Sequence, residues 1–276
     1  MKRSVLILAL LLCAAYAYSQ PKIHFGATTA VNSTIVLDQG LESDPRYGEV
    51  EFSYQWSPIG FSFGTDFTRG FGLQLEALLN KQEQIRQIQQ VATQTLEKVK
   101  SGEQILSMNY LQMPLLMRFM SKGSAKTRFN FNIGPQLSLL TQGQEVANLD
   151  PGLYEYPQGE VPNQDEFPDA ELVDPINNIW DLPTGGTDVV ISQTSDFRNA
   201  MFTLAGGFGL DIDLSKNLYL TTYTRFTYAF QDVRNEDFFN SVVNGNYNDL
   251  LKSSATVDVA IQLGLHYMIG GTRSFF

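Results

Sequence analysis

Tyr110-Leu111-Gln112-Met113-Pro114-Leu115-Leu116-Met117-Arg118-Phe119 is followed, across a short Lys/Gly/Ser turn, by Arg128-Phe129-Asn130-Phe131-Asn132-Ile133-Gly134-Pro135-Gln136-Leu137-Ser138-Leu139. From Phe129 to Leu139 each odd position is apolar, counting Pro135, and each even one is polar or glycine. That is the two-residue period of a strand with unlike faces. As a hairpin, the two runs put Gln112, Arg118, Arg128, Asn130 and Gln136 on one face and Leu111, Met113, Leu115, Met117 and Phe119 on the other. A soluble barrel turns the apolar face inward. A membrane barrel turns it to lipid and fills its lumen with the polar face.

The ends of the chain favour export. Lys2 and Arg3 precede an apolar run from Val5 to Ala15, and Ala17 and Ser19 allow cleavage before Gln20, so residues 1–19 read as a signal peptide. That run is shorter than the roughly 20 apolar residues of a spanning helix, and no later segment approaches that length. Any span is therefore built of strands. The single cysteine, Cys13, lies within the signal and leaves the exported chain without thiol chemistry. Losing Lys2 and Arg3 takes the formal charge from −10 to −12, which argues against a nucleic-acid partner.

Residues 20–276 form the expected barrel domain. Strands are expected at Lys22 to Val31, Ile59 to Phe67, Phe71 to Asn80, Gln104 to Met120, Lys126 to Thr141, Phe202 to Asp213, Leu218 to Gln231 and Ala255 to Ile269. Thr68-Arg69-Gly70 supplies hairpin chemistry between the second and third. Gln84 to Lys100 has two readings: a short helix, from the spacing of Ile85, Ile88, Val91, Leu96 and Val99, or two strands continuing past the membrane as a polar hairpin. Gln142 to Phe197 contains Pro151, Pro157, Pro162, Pro168, Pro175 and Pro183, twelve acids and no Lys or Arg. It is expected to be an irregular outer loop, bounded at 142–198.

Long and short connections alternate, placing the tight turns and both termini at one end. The fold class is thus all-β: an eight-stranded antiparallel transmembrane β-barrel with long extracellular loops and short periplasmic turns, in contact with outer-membrane lipid. Phe25, Phe67, Phe71, Phe119, Phe129 and Tyr267 fall at one level of the apolar face, as an interfacial girdle does. The polar parity carries Asp66, Glu76, Arg118, Arg128, Asp211, Arg225 and Asp258, mixed charges able to pair in a lumen but unsuited to a soluble core.

The chain resembles the PorT-like outer-membrane β-barrel proteins of the Bacteroidota. The resemblance rests on a signal ending in Ser-Gln, on Phe25-Gly26, and above all on Tyr110-Leu111-Gln112-Met113-Pro114-Leu115-Leu116, which is similar to the family's Tyr-Leu-Glu-Ile-Pro-Leu-Leu. Gln112 stands where that family usually has Glu. The resemblance implies an accessory role in an envelope or secretion complex. In addition, Gln262, Gly264, Tyr267 and Ile269 in the last strand resemble the signal read by the barrel-assembly machinery.

The candidate site residues are a lumen polar network of Glu76, Gln112, Arg118, Arg128, Arg225 and Asp258, with an ion pair expected between Glu76 and Arg118. His24 and His266 share inward parity at the seam between the first and last strands. They are expected to fill and hydrogen-bond that seam rather than to bind metal or work with Asp258. No nucleophile, base and orienter share a height, so neither catalysis nor a cofactor is expected. Tyr154, Tyr156, Phe167 and Trp180, interleaved among the loop acids, would suit contact with an envelope protein or a glycan. The expected function is a non-enzymatic structural or interaction role, and the alternative is a narrow transporter or pore for a small ligand.

Overall fold

The computed structural model describes residues 22–38, 44–92, 97–121, 126–238 and 254–269; the expected signal peptide and most of the loop after the seventh barrel strand lie outside these. Among the described residues thirteen strands occur in order: β1 (Lys22–Asp38), β2 (Tyr47–Glu51), β3 (Gln55–Asp66), β4 (Phe71–Val91), β5 (Lys98–Met120), β6 (Thr127–Leu149), β7 (Gly152–Glu155), β8 (Glu171–Asp174), β9 (Ile179–Leu182), β10 (Gly186–Gln193), β11 (Ala200–Asp213), β12 (Leu218–Ala229) and β13 (Ser254–Ile269). Eight of them, β1-β3-β4-β5-β6-β11-β12-β13, pair antiparallel around a ring. The ring closes where β1 pairs with β13 from Ile23↔Ile269 to Asp38↔Ser254.

The alternation read in the sequence sets the two faces of the wall. Leu115 is 48% exposed on the outside, whereas Asn132 is 4% exposed inside. The lower girdle is continuous in places: the rings of Phe71 and Phe119 lie 5.5 Å apart, Phe119 and Phe131 6.3 Å, and Phe25 and Tyr267 5.7 Å. Trp56, Phe202, Tyr228 and Phe230 face outward near the opposite rim, a second aromatic level.

Three expectations are corrected. First, of the two readings of Gln84 to Lys100 the polar hairpin holds and the helix does not: β4 and β5 run on as paired strands, Gln84↔Leu106 to Val91↔Lys98, with residues 93–96 outside the described residues. The apolar spacing that imitated a helix arises because Ile88 and Val91 pack inward while Ile85 faces out on a wall already clear of lipid. Second, 142–198 is not structureless. β6 continues to Leu149, β10 pairs along its outer end, and β7, β9 and β8 form a separate three-stranded sheet. Third, β1 and β3 both extend into the first long loop, where β2 pairs with β4.

The outward faces show where the wall leaves the membrane. On β5 they are apolar from Phe119 up to Leu111 and polar at Asn109, Ser107 and Glu103, while the inward faces become apolar at Tyr110, Met108 and Leu106. β4 changes likewise from Leu79 to Lys81 and Glu83. On β6 a register shift opposite Asn109/Tyr110 leaves Thr141 without a partner. This bulge reverses the parity, so that Gly143, Glu145 and Ala147 point inward. Leu115→Arg is therefore expected to destabilise the barrel by about 2–4 kcal/mol in a urea titration, with Asn132→Arg distinctly milder. Equal losses would contradict the facing.

Candidate functional site

Within the membrane the lumen is a stack of hydrogen-bonded layers. In one near the lower rim, Arg118 donates to Asp211 at 3.0 Å and to His24 Nε2 at 2.9 Å, with Asp66 3.7 Å away. Asp211 also accepts from Asn130 and Thr221. The His266 ring stacks on Tyr219 with centroids 4.8 Å apart and meets Ser62 Oγ at 3.2 Å. His24 and His266 meet edge to face at 5.9 Å. They sit against Gly26 and Gly64, where a Cβ would collide with the rings. Gly264, singled out above as part of an assembly signal, has a packing duty as well: a Cβ there would lie 2.6 Å from His266 Nε2.

The expected Glu76–Arg118 pair does not form. Register sets Arg118 opposite Gly72 and Glu76 opposite Ser62, so the two charges stand at different heights. Glu76 instead pairs across the lumen with Arg225, and Gln74 also donates to it. Arg128, nearer the lower rim, pairs with Asp213 at 3.2 Å rather than joining this set. Asp258 accepts from Thr34 at 2.7 Å and Asn32 at 3.2 Å and takes no part in the histidine layer. The carboxylate near the histidines is Asp66, 3.6 Å from His24, which linear spacing did not place there. Gln112 is buried beside Asp258 and Arg225. Cavities between the layers measure about 10 to 20 Å3, room for one water each.

Above these layers the filling changes character. Val36, Leu106, Met108, Tyr110, Phe197, Met201 and Val233 form an apolar plug. Over it lies a polar layer in which the Glu145 carboxylate accepts from Gln104 at 2.6 Å, Ser192 at 3.0 Å and Arg234 at 2.7 Å. The sequence carried a signal for the plug, since Leu106, Met108 and Tyr110 break the polar parity of the strand. The partner residues Phe197, Met201 and Val233 come from distant segments and carried none.

The outer sheet is a packed cap. Tyr154, Tyr156, Phe167 and Leu182 bury themselves with Ile88 and Ala147 of the wall, and Trp180 packs against them. The aromatics expected to meet a partner are thus occupied in holding the cap down. Arg46 reaches from the first long loop to Asp44 at 2.5 Å and Glu160 at 3.3 Å, with its guanidinium 4.2 Å from the Tyr156 ring. Burial raises the Glu160 carboxyl above the usual range, opposed by Arg46, and burial likewise raises the Tyr156 hydroxyl. Asn178 adopts φ 52°, a region Asn tolerates. Its amide donates to the carbonyls of Pro157 at 2.6 Å and Glu160 at 2.9 Å, while its oxygen accepts from Trp180. Among the described residues no group of three or more His, Cys, Asp or Glu is placed to hold a metal.

The chain is similar to several solved barrels. The outer membrane protein OprG from Pseudomonas aeruginosa aligns over 91% of this chain and 97% of its own at 12% identity and a TM-score of 0.38. Neisserial surface protein A aligns over 89% and 96% at 9% identity and a TM-score of 0.36. Ail, the attachment invasion locus protein of Yersinia pestis, in complex with the heparin analogue sucrose octasulfate, aligns over 90% and 99% at 8% identity and a TM-score of 0.35. A search of curated protein sequences finds no match. Residues 18–235 match the family model described as Outer membrane protein beta-barrel domain. The chain belongs to this outer membrane protein β-barrel family, and its place is the outer membrane of a Gram-negative bacterium.

Proposed function

We propose that this is a PorT-like, non-enzymatic barrel that serves as a structural or interaction protein, an accessory to an envelope or secretion complex whose partner meets the outer cap. The observation that carries the reading is the division of labour along the axis. The lumen is occupied layer by layer and stoppered by the plug, whereas the cap exposes Leu172, Val173 and Ile176, the last 82% exposed, among acids. Isolated exposed aliphatics are ordinary, but several on one small structured sheet mark a contact surface. Ser62 and His266 form the one serine–histidine contact among the described residues, and both are buried without room for a substrate. Tyr267 and Ile269 face outward at the end of the closing strand, and with Gln262 and Gly264 they are assigned to the barrel-assembly machinery.

Three measurements test this. Planar-bilayer recordings are expected to show no steady conductance; a size-selective current would favour a narrow transporter instead. Excising the cap between Gly152 and Leu182, which are register partners, should leave heat-modifiable gel migration intact and abolish partner cross-linking in whole outer membranes. Retained cross-linking would remove the cap from the reading. Finally, Arg225→Met should strand the Glu76 charge and cost about 3–5 kcal/mol, most of it recovered by adding Glu76→Gln, since an apolar or neutral replacement of both partners avoids the unpaired buried charge. A double variant no better than the single would show that the pair does not act as a unit.

A further inference from the structure

The layer above the plug holds two guanidinium groups and one carboxylate. Arg234 uses that carboxylate: it donates to Glu145 at 2.7 Å and to Ser192 at 3.0 Å. Arg86, on the next strand but one from Glu145, is 5% exposed. Among the described residues its guanidinium makes no hydrogen bond or ion pair, and its Nε is buried without an acceptor. A buried guanidinium is costly unless its charge and its fork of donors are met. Arg86 instead lines a cavity of about 20 Å3 together with Gln84, Val36, Leu106 and Val233, and with Gln104, Glu145 and Arg234, which are already bonded to one another.

The donors around that cavity point one way. Gln84 accepts from the backbone N–H of Val36 through Oε1, which leaves its amide hydrogens for an acceptor. Next to it, Glu145 shows what such surroundings receive: its carboxylate is held by an amide, Gln104, and a guanidinium, Arg234. Gln84 and Arg86 repeat that amide and guanidinium pair, two residues apart on β4 and both inward. The apolar walls exclude competing water and strengthen a charged hydrogen bond.

We propose that Arg86 and Gln84 form a binding site for one carboxylate group at the outer mouth of the barrel. The planar fork of a guanidinium takes a carboxylate through two parallel hydrogen bonds, and with two guanidinium groups to one carboxylate the layer is one negative charge short. The carboxylate belongs either to a free small acid or to the end of a peptide.

The test uses the full barrel folded in detergent, with formate exchanged for chloride at constant ionic strength. A ligand bound only by the folded state raises its melting point in a saturable way. The wild type should show such a rise in the midpoint of heat-modifiable migration, and Arg86→Met should show none. Gln84→Glu, which keeps the acceptor for Val36 and supplies a carboxylate from the chain itself, should melt higher without formate and gain nothing from it. Carbon-13 formate should broaden with the wild type alone, with binding weakened at least about tenfold in either variant. N-acetylglycine matching formate would identify a peptide terminus as the source, and formate acting alone would identify a free small acid. No saturable rise in the wild type, or the same rise in all three proteins, would overturn the site. If Arg86→Met does not fold, the wild type and Gln84→Glu decide the matter between them.

Discussion

Within hydrocarbon a backbone N–H or C=O has no water to bond, so a sheet that spans the membrane must leave no edge. In this chain that requirement is met by the antiparallel pairing of β1 with β13, unbroken from Ile23↔Ile269 to Asp38↔Ser254. The other features depend on it. The closed ring brings His24 and His266 together and lets Arg118 on β5 reach the carboxylate of Asp211 on β11. It also lets Glu76 on β4 meet Arg225 on β12. Opened at the seam, the same strands would face lipid with two unpaired edges and a row of charges lacking their opposite wall.

Much of the barrel was legible because its two faces obey a single rule. The parity of Phe129 to Leu139 gave the facing of β6, and that of Leu111 to Phe119 gave β5. The level of Phe25, Phe71, Phe119 and Tyr267 marked the lower rim. Pairing across the lumen was not legible, because it depends on register and on which walls face each other. Glu76 and Arg118 are close in strand order but stand at different heights, and their true partners, Arg225 and Asp211, lie far along the chain. Polar composition likewise hid the cap. A proline-rich acidic tract reads as loop, yet four side chains, Tyr154, Tyr156, Phe167 and Leu182, suffice to fold it once Ile88 and Ala147 offer a surface. The bulge that leaves Thr141 unpaired reverses every side chain beyond it, so parity carried forward from Leu139 would have turned Glu145 outward.

The plug and the layer above it show one wall serving two solvents. Below Leu111 the outside of β5 is apolar and its inside carries Gln112 and Arg118 between Pro114, Leu116 and Met120; above Asn109 the outside turns polar and the inside joins the apolar plug. The upper part therefore stabilises itself mainly by ordinary apolar burial, whereas the inside of the membrane part rests mostly on its hydrogen-bonded charges. The cap completes this upper core; Asn178 closes it on itself through hydrogen bonds to Pro157 and Glu160, and Arg46 ties it to the first long loop through Glu160 and a cation over the Tyr156 face.

The exchange of polarity on β5 also measures the lipid belt on that side of the barrel. The outward apolar run from Leu111 to Phe119 covers about 27 Å along a strand at the usual rise, and about 20 Å of height once a tilt of roughly 40° is allowed. That is shorter than the hydrocarbon of a typical plasma membrane. Across the ring, β13 turns apolar side chains outward over the longer run from Val257 to Ile269, so the belt is uneven and the bilayer is thinnest against the β5 side, at a cost for every ångström of mismatch. Because Lys81 and Glu83 on the neighbouring strand limit the belt at the same height, the barrel has little freedom to ride up or down. Its depth in the membrane is fixed by the wall itself, which keeps the cap at a set distance above the lipid surface.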